Sequence, residues 1–174
     1  STGIGTQYSD AQARQFTQGR QTIRDAPEIH VSAAQAADLG CLAAFNAAMA
    51  IETENKTLDP QTLRAGVARV LAEPARGFYL VAEAEGVVAG CLMVTYEWSD
   101  WRNGDWWWLQ SVYIAPEHRR HGVFRALYAE VERRAAGHAD VVGIRLYVER
   151  ENVRAQRTYQ ALGMHEDPYR MYAK

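Results

Sequence analysis

The spacing of apolar residues changes along the chain, and the change predicts where helices give way to strands. Residues 22–31 hold short β-like pieces, and two segments rich in Ala and Leu follow them. Ser32 is expected to cap the first helix, which runs to about Met49, because a serine oxygen can accept a hydrogen bond from a free amide of the first turn. Asp59-Pro60 places a cap and an N1 proline in sequence, so it predicts the start of a second helix, which stops before Pro74.

The middle of the chain has the alternation and the turn signals typical of antiparallel strands. Glu85-Gly86 and Asn103-Gly104 are favoured in tight turns, and they separate three apolar runs. Alternation along the third run puts Trp106 and Trp108 on one face of a strand and Trp107 on the other. The predicted strands are 77–83, 87–98 and 106–114, the last of them ended by Pro116.

The last third of the chain alternates helical and strand-like segments. Val123, Leu127 and Val131 are spaced along one stripe of a helix, and Gly163 stands where a left-handed residue ends another. The predicted elements are helix 123–136, a strand buried on both faces over 141–148, helix 152–162 and a last strand-like piece over 164–173. This mixture predicts an α/β (α+β mixed) fold in which helices cover one twisted sheet.

Composition bounds the organisation of the chain and the kinds of partner it takes. Residues 22–174 have one composition and are expected to form one domain, whereas residues 1–21 are polar and are expected to be an N-terminal extension. Hydrophobic residues make up 48% and charged residues 23%, which is ordinary for a globular protein. The formal charge of −2 argues against a protein that binds nucleic acid through a broad basic field.

Cysteine usage and hydropathy suggest where the protein works. Cys41 and Cys91 lie in apolar runs without a CxxC pattern, which favours buried, reduced thiols over a disulfide. No apolar run reaches the roughly 18 residues of a membrane span, and the polar N-terminal segment lacks the apolar centre of a secretory signal. We therefore expect a cytoplasmic enzyme.

The turn between the third strand and the helix at 123–136 carries the main chemical signal. Backbone N–H groups at a helix start lack partners, and the helix dipole adds partial positive charge, so a diphosphate is a natural ligand there. Gly122 lets the backbone approach phosphate oxygens, while Arg119 and Arg120 add charge. Taken alone, these residues also fit a solvated turn. The chain has neither a Gly-Lys-Ser/Thr loop nor a GxGxxG fingerprint, which excludes both nucleotide-binding alternatives.

Residues 109–127 and 146–164 together resemble the GNAT superfamily of N-acetyltransferases. In the first stretch Arg119 and Gly122 match the family signature at the start of the helix, whereas Phe124 replaces its usual small residue. The positions that match the second family block are Asn152, Ala155, Tyr159, Gly163 and Met164. The resemblance implies a GNAT-like single domain, with a central twisted mixed sheet of about six to seven strands flanked by about four helices.

The resemblance also implies acetyl-CoA as co-substrate, with no metal. A backbone N–H of Val112 or a neighbour would polarise the thioester where the strand separates from the next one. Tyr159 would be the general acid for the departing thiolate, with a role as a packed wall residue as the alternative. Asn152 would contact the pantetheine or adenosine part of CoA, or simply cap its helix. The residues implied to bind acetyl-CoA are Val112, Tyr113, Ile114, Arg119, Arg120, His121, Gly122, Val123, Phe124, Arg125 and Asn152.

The sequence offers several candidates for the catalytic base and for the acceptor site. Many relatives carry a glutamate on the strand before the phosphate-binding turn, and Trp108 stands at that position here. Glu97 is a candidate base, Gln110 a candidate contact to water or substrate, and a water chain the alternative. Glu52 and Glu54 are candidates for attracting a cationic amine, and Trp108 for an aromatic wall against an ammonium group. The alternatives are solvated surface acids and ordinary core packing.

These residues predict direct transfer of an acetyl group from acetyl-CoA within a ternary complex. The expected acceptor is a primary amine of a small molecule, or a lysine or N-terminal amine of a protein. The alternative is a non-catalytic acyl-CoA-binding or sensing protein of the same fold. We expect a homodimer and neither a nucleic-acid nor a membrane partner. His118 and His121 have an H-x-x-H spacing but no acidic or Cys partner nearby in sequence, so no metal site is predicted.

Overall fold

A computed structural model describes residues 27–174 and places five strands and four α-helices in them. The strands are β1 (Ile29–Ala33), β2 (Gly77–Ala84), β3 (Val87–Ser99), β4 (Gly104–Ile114) and β5 (Val141–Leu146). The helices are α1 (Leu39–Glu54), α2 (Pro60–Ala72), α3 (Val123–Ala136) and α4 (Val153–Ala161), with short 3₁₀ turns at Ala36–Asp38 and Pro116–His118. The predicted mixed fold is confirmed, with five strands in place of six or seven. The predicted extension over residues 1–21 and the β-like piece at residues 22–24 lie outside the described residues.

The strands form one mixed sheet in the order β1-β2-β3-β4-β5. Neighbours from β1 to β4 are antiparallel, whereas β5 runs parallel to β4. The pairing of β4 with β5 ends at Leu109 opposite Leu146, although β4 continues to Ile114. The two strands therefore separate, and the last part of β4 leaves its backbone on that side without a strand partner in the described part of the chain.

A β-bulge lies in β4 at the point where this separation begins. Met93 of β3 pairs with Gln110 and Cys91 with Tyr113, so two residues of β4 oppose the single Leu92. These two residues are Ser111 and Val112, and the φ of Ser111, 50°, is in the left-handed region. Because side chains alternate along a strand, the bulge exchanges the faces on which later side chains lie.

Helices cover both faces of the sheet and bury a separate apolar cluster on each. The cluster under α3 contains Trp107 and Leu109, and residues Val112 and Ile114 beyond the bulge pack against it. The cluster under α1 and α2 contains Tyr113, so β4 changes face across the bulge as its geometry requires. The prediction that Trp107 faces away from Trp106 and Trp108 agrees with the burial of Trp107 and the partial exposure of its two neighbours.

Local signals explain why several helix boundaries were predictable. The Asp59 carboxylate accepts a hydrogen bond from the Thr62 amide at 2.8 Å, which caps α2 as expected. α3 spans the predicted residues 123–136, with Val123, Leu127 and Val131 buried along its apolar stripe. None of the helices found in residues 27–174 has the length and hydropathy needed to cross a membrane.

Three boundary predictions were wrong. Ser32 does not cap a helix, because it pairs with Val81 inside the ladder of β1 and β2, and α1 begins later at Leu39. β5 is half-buried along its length and not buried on both faces, since it is the last strand of the sheet. Residues 164–173, predicted to be a strand-like piece, form no strand in the structure. Pro168, which lacks an N–H for a ladder, stands in this segment.

Candidate active site

The turn between β4 and α3 leaves the start of α3 open. Arg120 and Gly122 have left-handed φ values of 66° and 81°, and Gly122 is the N-cap residue. No side chain within residues 27–174 caps this end, and the first turn of α3 contains no acidic residue. The free amides and the helix dipole therefore face an exposed surface that favours an anion. A Cβ at Gly122 would meet nothing within 4 Å, so glycine is needed there for its backbone angle.

The Arg119 side chain forms an ion pair with Glu52 of α1. Its Nη2 atom lies 2.7 Å from Glu52 Oε2, and its Nε donates to the Ile114 carbonyl at 2.9 Å. The Tyr113 hydroxyl donates to Glu52 Oε1 at 2.9 Å. Hydrogen bonds from Arg119 and then Tyr113 hold the pKa of Glu52 below its ordinary value. No local pattern predicted this cluster, because Glu52 and Arg119 are 67 residues apart in the sequence.

The start of α4 is closed by its own side chains. The Asn152 carboxamide oxygen accepts from the Ala155 amide at 3.1 Å, so the predicted N-cap is confirmed. Gln156 Nε2 donates to the carbonyls of Glu149 and Arg150 at 3.1 and 3.0 Å, which fixes the turn before the helix.

Tyr159 connects the two sequence blocks. Its ring lies edge-on to that of Phe124, with centroids 5.8 Å apart, so α3 and α4 meet beside the open turn. Burial raises the pKa of Tyr159 above the ordinary tyrosine value. The hydroxyl therefore keeps its proton to higher pH than a free tyrosine, as a proton donor requires.

The face of β4 under α1 and α2 carries an aromatic and polar row next to the bulge. The rings of Trp108 and Tyr147 lie 4.4 Å apart, where β4 and β5 begin to separate. Gln110 Nε2 donates to Thr95 Oγ1 at 2.6 Å, which leaves the amide oxygen of Gln110 available as an acceptor. This row brings two of the predicted substrate-side residues, Trp108 and Gln110, to one surface.

The predicted acidic candidates are engaged in ion pairs. Glu97 Oε2 lies 2.9 Å from Arg145 Nη1, and the Arg145 guanidinium stacks 3.7 Å from the ring centroid of Trp106. In the ladder of β3 and β4, Glu97 lies opposite Trp106 and is five residues along β3 from Leu92, which places it about 16 Å from the bulge. Glu54 Oε2 lies 3.2 Å from Lys56 Nζ. Arg145 was not predicted as a site residue, because its partners Glu97 and Asp167 are distant in the chain.

A buried polar pair joins α1 to β2. Asn46 of α1 is 7% exposed, and its Nδ2 donates to the Tyr79 hydroxyl at 3.3 Å. The Cys91 thiol lies 3.7 Å from the Ser111 carbonyl oxygen, and burial raises the pKa of Cys91 to about 12. Both cysteines are free thiols as predicted, but only Cys91 is buried, whereas Cys41 is half-buried.

Comparisons with known proteins agree with this geometry. The profile of the acetyltransferase (GNAT) family matches residues 41–164. A possible acetyltransferase from Clostridium difficile 630 is 42% identical, with a TM-score of 0.79 over 84% of this chain and 96% of that one. The comparison with curated proteins gave no match.

Two more distant structures share the fold alone. The aminoglycoside N-acetyltransferase AAC(6')-Iy in complex with CoA is 16% identical, with a TM-score of 0.69 over 87% of this chain and 97% of that one. A ribosomal-protein-alanine N-acetyltransferase from Brucella melitensis biovar Abortus 2308 is 14% identical, with a TM-score of 0.69 over 84% of this chain and 98% of that one.

Proposed function

Because the chain belongs to the GNAT acetyltransferase family and is an N-acetyltransferase, we propose that it moves an acetyl group from acetyl-CoA directly to a primary amine in a ternary complex. The observation that carries this proposal is the uncapped start of α3, which follows directly from the part of β4 that has separated from β5. A diphosphate at the start of α3 and a thioester along the separated part of β4 would belong to one extended ligand. The AAC(6')-Iy relative binds CoA, which supports the same ligand here.

The donor site is proposed to use backbone more than side chains. The Arg119 guanidinium is held by Glu52 and Ile114, so this residue would contact phosphate through its amide. Tyr113 is likewise bonded to Glu52, which leaves its backbone for the pantetheine arm, beside Val112 and Ile114. The residues proposed to surround the diphosphate are Arg119, Arg120, His121, Gly122, Val123, Phe124 and Arg125.

In the proposed transfer, the amine nitrogen bonds to the carbonyl carbon and the C–S bond breaks. An N–H of Val112 or a neighbour at the bulge stabilises the charge on the carbonyl oxygen. Tyr159 gives its hydroxyl proton to the thiolate sulfur and regains one, through water, from the acetylated nitrogen. The raised pKa of Tyr159 supports this role, since the proton is present throughout the neutral range.

The base is proposed to be water held by Gln110 and not a carboxylate. Trp108 occupies the position of the usual glutamate, and Arg145 holds Glu97. Glu52 has a lowered pKa, which makes it a poor base. The amide oxygen of Gln110 has no hydrogen-bond donor among residues 27–174, lies on the same strand as the bulge and can accept a hydrogen bond from water or from the amine.

The acceptor is proposed to enter against the stacked Trp108 and Tyr147 rings. An aromatic face attracts an ammonium group, and both rings lie beside the separation of β4 from β5. Amines that carry an additional cationic or apolar group fit this wall. Named relatives acylate aminoglycosides or a ribosomal protein, so both small-molecule and peptide amines belong in a first screen.

The test is release of CoA thiol from acetyl-CoA with a panel of polyamines, aminoglycosides and lysine peptides. We expect at least one amine to accelerate release in the wild type and Tyr159→Phe to lower kcat by about 10²-fold. Tyr128→Phe is the matched control, because Tyr128 is a buried tyrosine that also contacts the Phe124 ring. CoA binding without turnover of any amine would support the sensing alternative. An unchanged kcat in Tyr159→Phe would remove Tyr159 from the mechanism and leave the activity standing.

A further inference from the structure

We propose that a cleft at the C-terminal end of α3 is a second ligand site, which takes a small organic cation with an aromatic or apolar body. The cleft has a volume of about 410 Å³, which is within the range of pockets that hold small molecules. It lies between the end of α3 and the starts of β2, β4 and β5. This inference goes beyond the proposed function, because the cleft needs neither acetyl-CoA nor acetyl transfer to bind its ligand.

The cleft is separate from both parts of the proposed acetyl-transfer site. α3 has 14 residues at a rise of about 1.5 Å each, so its two ends are about 20 Å apart, and the proposed diphosphate site is at the other end. Trp107 belongs to the cluster under α3, and alternation along β4 puts Trp108 on the opposite face of the sheet. The stacked Trp108 and Tyr147 rings therefore lie across the sheet from the cleft.

Three aromatic rings from neighbouring strands line the cleft together. The ring centroid of Phe78 lies 5.3 Å from that of Trp107 and 6.4 Å from that of Tyr96. Tyr96 is 36% exposed, so part of its surface is open to a ligand. The Arg134 guanidinium carbon lies 5.7 Å from the Phe78 ring centroid, which shows that a cation is already accommodated beside these rings. Aromatic faces attract cations, so an ammonium group with an apolar body suits this lining.

Two aspartates give the cleft its charge. Asp105 and Asp140 both line it, and the Asp105 amide donates to the Asp140 carbonyl at 2.7 Å, which holds the two residues together. Within residues 27–174 neither carboxylate takes part in a side-chain hydrogen bond or an ion pair. Both carboxylates are therefore available to a cationic ligand.

Arg134 is the one positively charged arginine or lysine among the lining residues, and it does not reverse the sign. Its Nε lies 2.9 Å from Oε1 of Glu130, which also pairs with Arg133. Two carboxylates and one guanidinium leave the lining negatively charged. The partial negative charge at the C-terminal end of α3 acts in the same direction, so the cleft favours a cation over an anion.

The test compares three probes of similar size and different charge, which are 2-phenylethylammonium, 2-phenylethanol and phenylacetate. Amide chemical shifts are followed by NMR in titrations of the full chain without acetyl-CoA. We expect saturable shifts at Tyr96, Asp105 and Asp140, with a Kd for the cation about fivefold below that for the alcohol and phenylacetate weakest. Equal affinities, tighter binding of phenylacetate, shifts without saturation or shifts confined to residues around Trp108 would each overturn the proposal.

Charge-neutral variants locate the source of the preference. Asp105→Asn and Asp140→Asn should each raise the Kd for 2-phenylethylammonium about threefold, and the double variant should raise it further, while the Kd for 2-phenylethanol stays the same. Asp100→Asn is the matched control, because Asp100 lies in the exposed turn between β3 and β4 and does not line the cleft. An unchanged Kd in the double variant, or an equal loss in the control, would refute the assignment.

Affinity for CoA shows whether the cleft is a site of its own. The double variant should keep the Kd for CoA within twofold of the wild type, because the substitutions are at the opposite end of α3. A Kd for CoA that rose together with the Kd for the cation would contradict a separate site. Absence of amine turnover in the wild type would count only against the proposed function, since these titrations contain no acetyl donor.

Discussion

The two helices that flank the separation of β4 and β5 begin in opposite ways. α3 starts at a left-handed glycine, and none of the side chains in residues 27–174 caps its first amides. α4 starts at Asn152, whose side chain accepts from Ala155, and Gln156 secures the turn before it. Both helices follow strands of the same sheet and both have a first turn without acidic residues.

The contrast separates a helix start whose amides are unpaired within residues 27–174 from one whose first turn is capped by a side chain. Amides that have no intramolecular partner are free for an anion, whereas a capped amide has already been satisfied. α3 is therefore the phosphate site in our proposal. Asn152 has used its oxygen on the helix, and only its NH₂ group remains for CoA.

The largest effect is expected from closing the open start with Gly122→Val. A β-branched residue at a φ of 81° forces the turn to rearrange, so the Kd for CoA should rise more than tenfold. Gly86→Val is the matched control, because Gly86 has a φ of 78° and a Cβ there also meets nothing within 4 Å. Calorimetric titration measures the affinity. Retained affinity in Gly122→Val, or an equal loss in the control, would refute the placement of the phosphate site.

A smaller effect is expected from Asn152→Ala, which removes the side-chain cap at the start of α4. Loss of an N-cap costs about 1 kcal/mol, which lowers Tm by roughly 2–4 °C in a chain of this size. The Kd for CoA should change less than threefold. Asn152→Asp should keep the Tm, because aspartate also caps helices. A tenfold rise in Kd without a change in Tm would make Asn152 a CoA ligand and not a cap.

The smallest effect is expected from breaking the ion pair between Glu52 of α1 and Arg119 of the turn before α3. The side chains of Glu52 and Arg119 are 39% and 43% exposed, so Glu52→Gln should cost only about 0–1 kcal/mol. The freed guanidinium should tighten CoA binding two- to threefold. Glu54→Gln, which removes an exposed pair with Lys56, is the control and should leave the affinity unchanged.

The contribution of the Glu52–Arg119 ion pair to stability depends on pH, and the direction of this dependence follows from the pKa of Glu52. Because Glu52 has a lowered pKa in the folded state, its stabilising effect is present above the ordinary glutamate pKa and is lost as pH falls through the lowered value. The Tm difference between wild type and Glu52→Gln should therefore shrink as pH falls below the ordinary glutamate pKa of about 4.3 and vanish once pH is below the lowered value. A difference that persisted there would mean that the carboxylate charge is not its source.

Prediction from sequence succeeded where the signal was local. The bounds of α3, the Asp59 cap of α2 and the Asn152 cap of α4 follow from neighbouring residues alone. The strand predicted over 164–173 failed because an apolar pattern cannot show whether a strand partner exists. The homodimer and the cytoplasmic location stay predictions.

The rest of the site depends on contacts between distant parts of the chain. Glu52 meets Arg119, and Glu97 meets Arg145, only because the sheet brings their elements together. The bulge is also invisible in the sequence, since Ser111 is not the glycine that usually marks a left-handed strand residue. Local patterns therefore predicted the start of α3, where we propose that the donor binds, whereas the contacts on the proposed acceptor side join residues that are distant in the sequence.

The bulge acts on β4 as a phase shift of a pattern with period two. Ahead of it, odd-numbered residues face α3, and beyond it even-numbered residues do. Side chains therefore alternate regularly on each side of the bulge, but the set of residues that faces α3 changes from odd-numbered to even-numbered across it. Length is consequently a constraint of its own here: a chain shortened by one residue between Gln110 and Tyr113 would keep every chemical group of the site and turn half of them to the wrong side of the sheet.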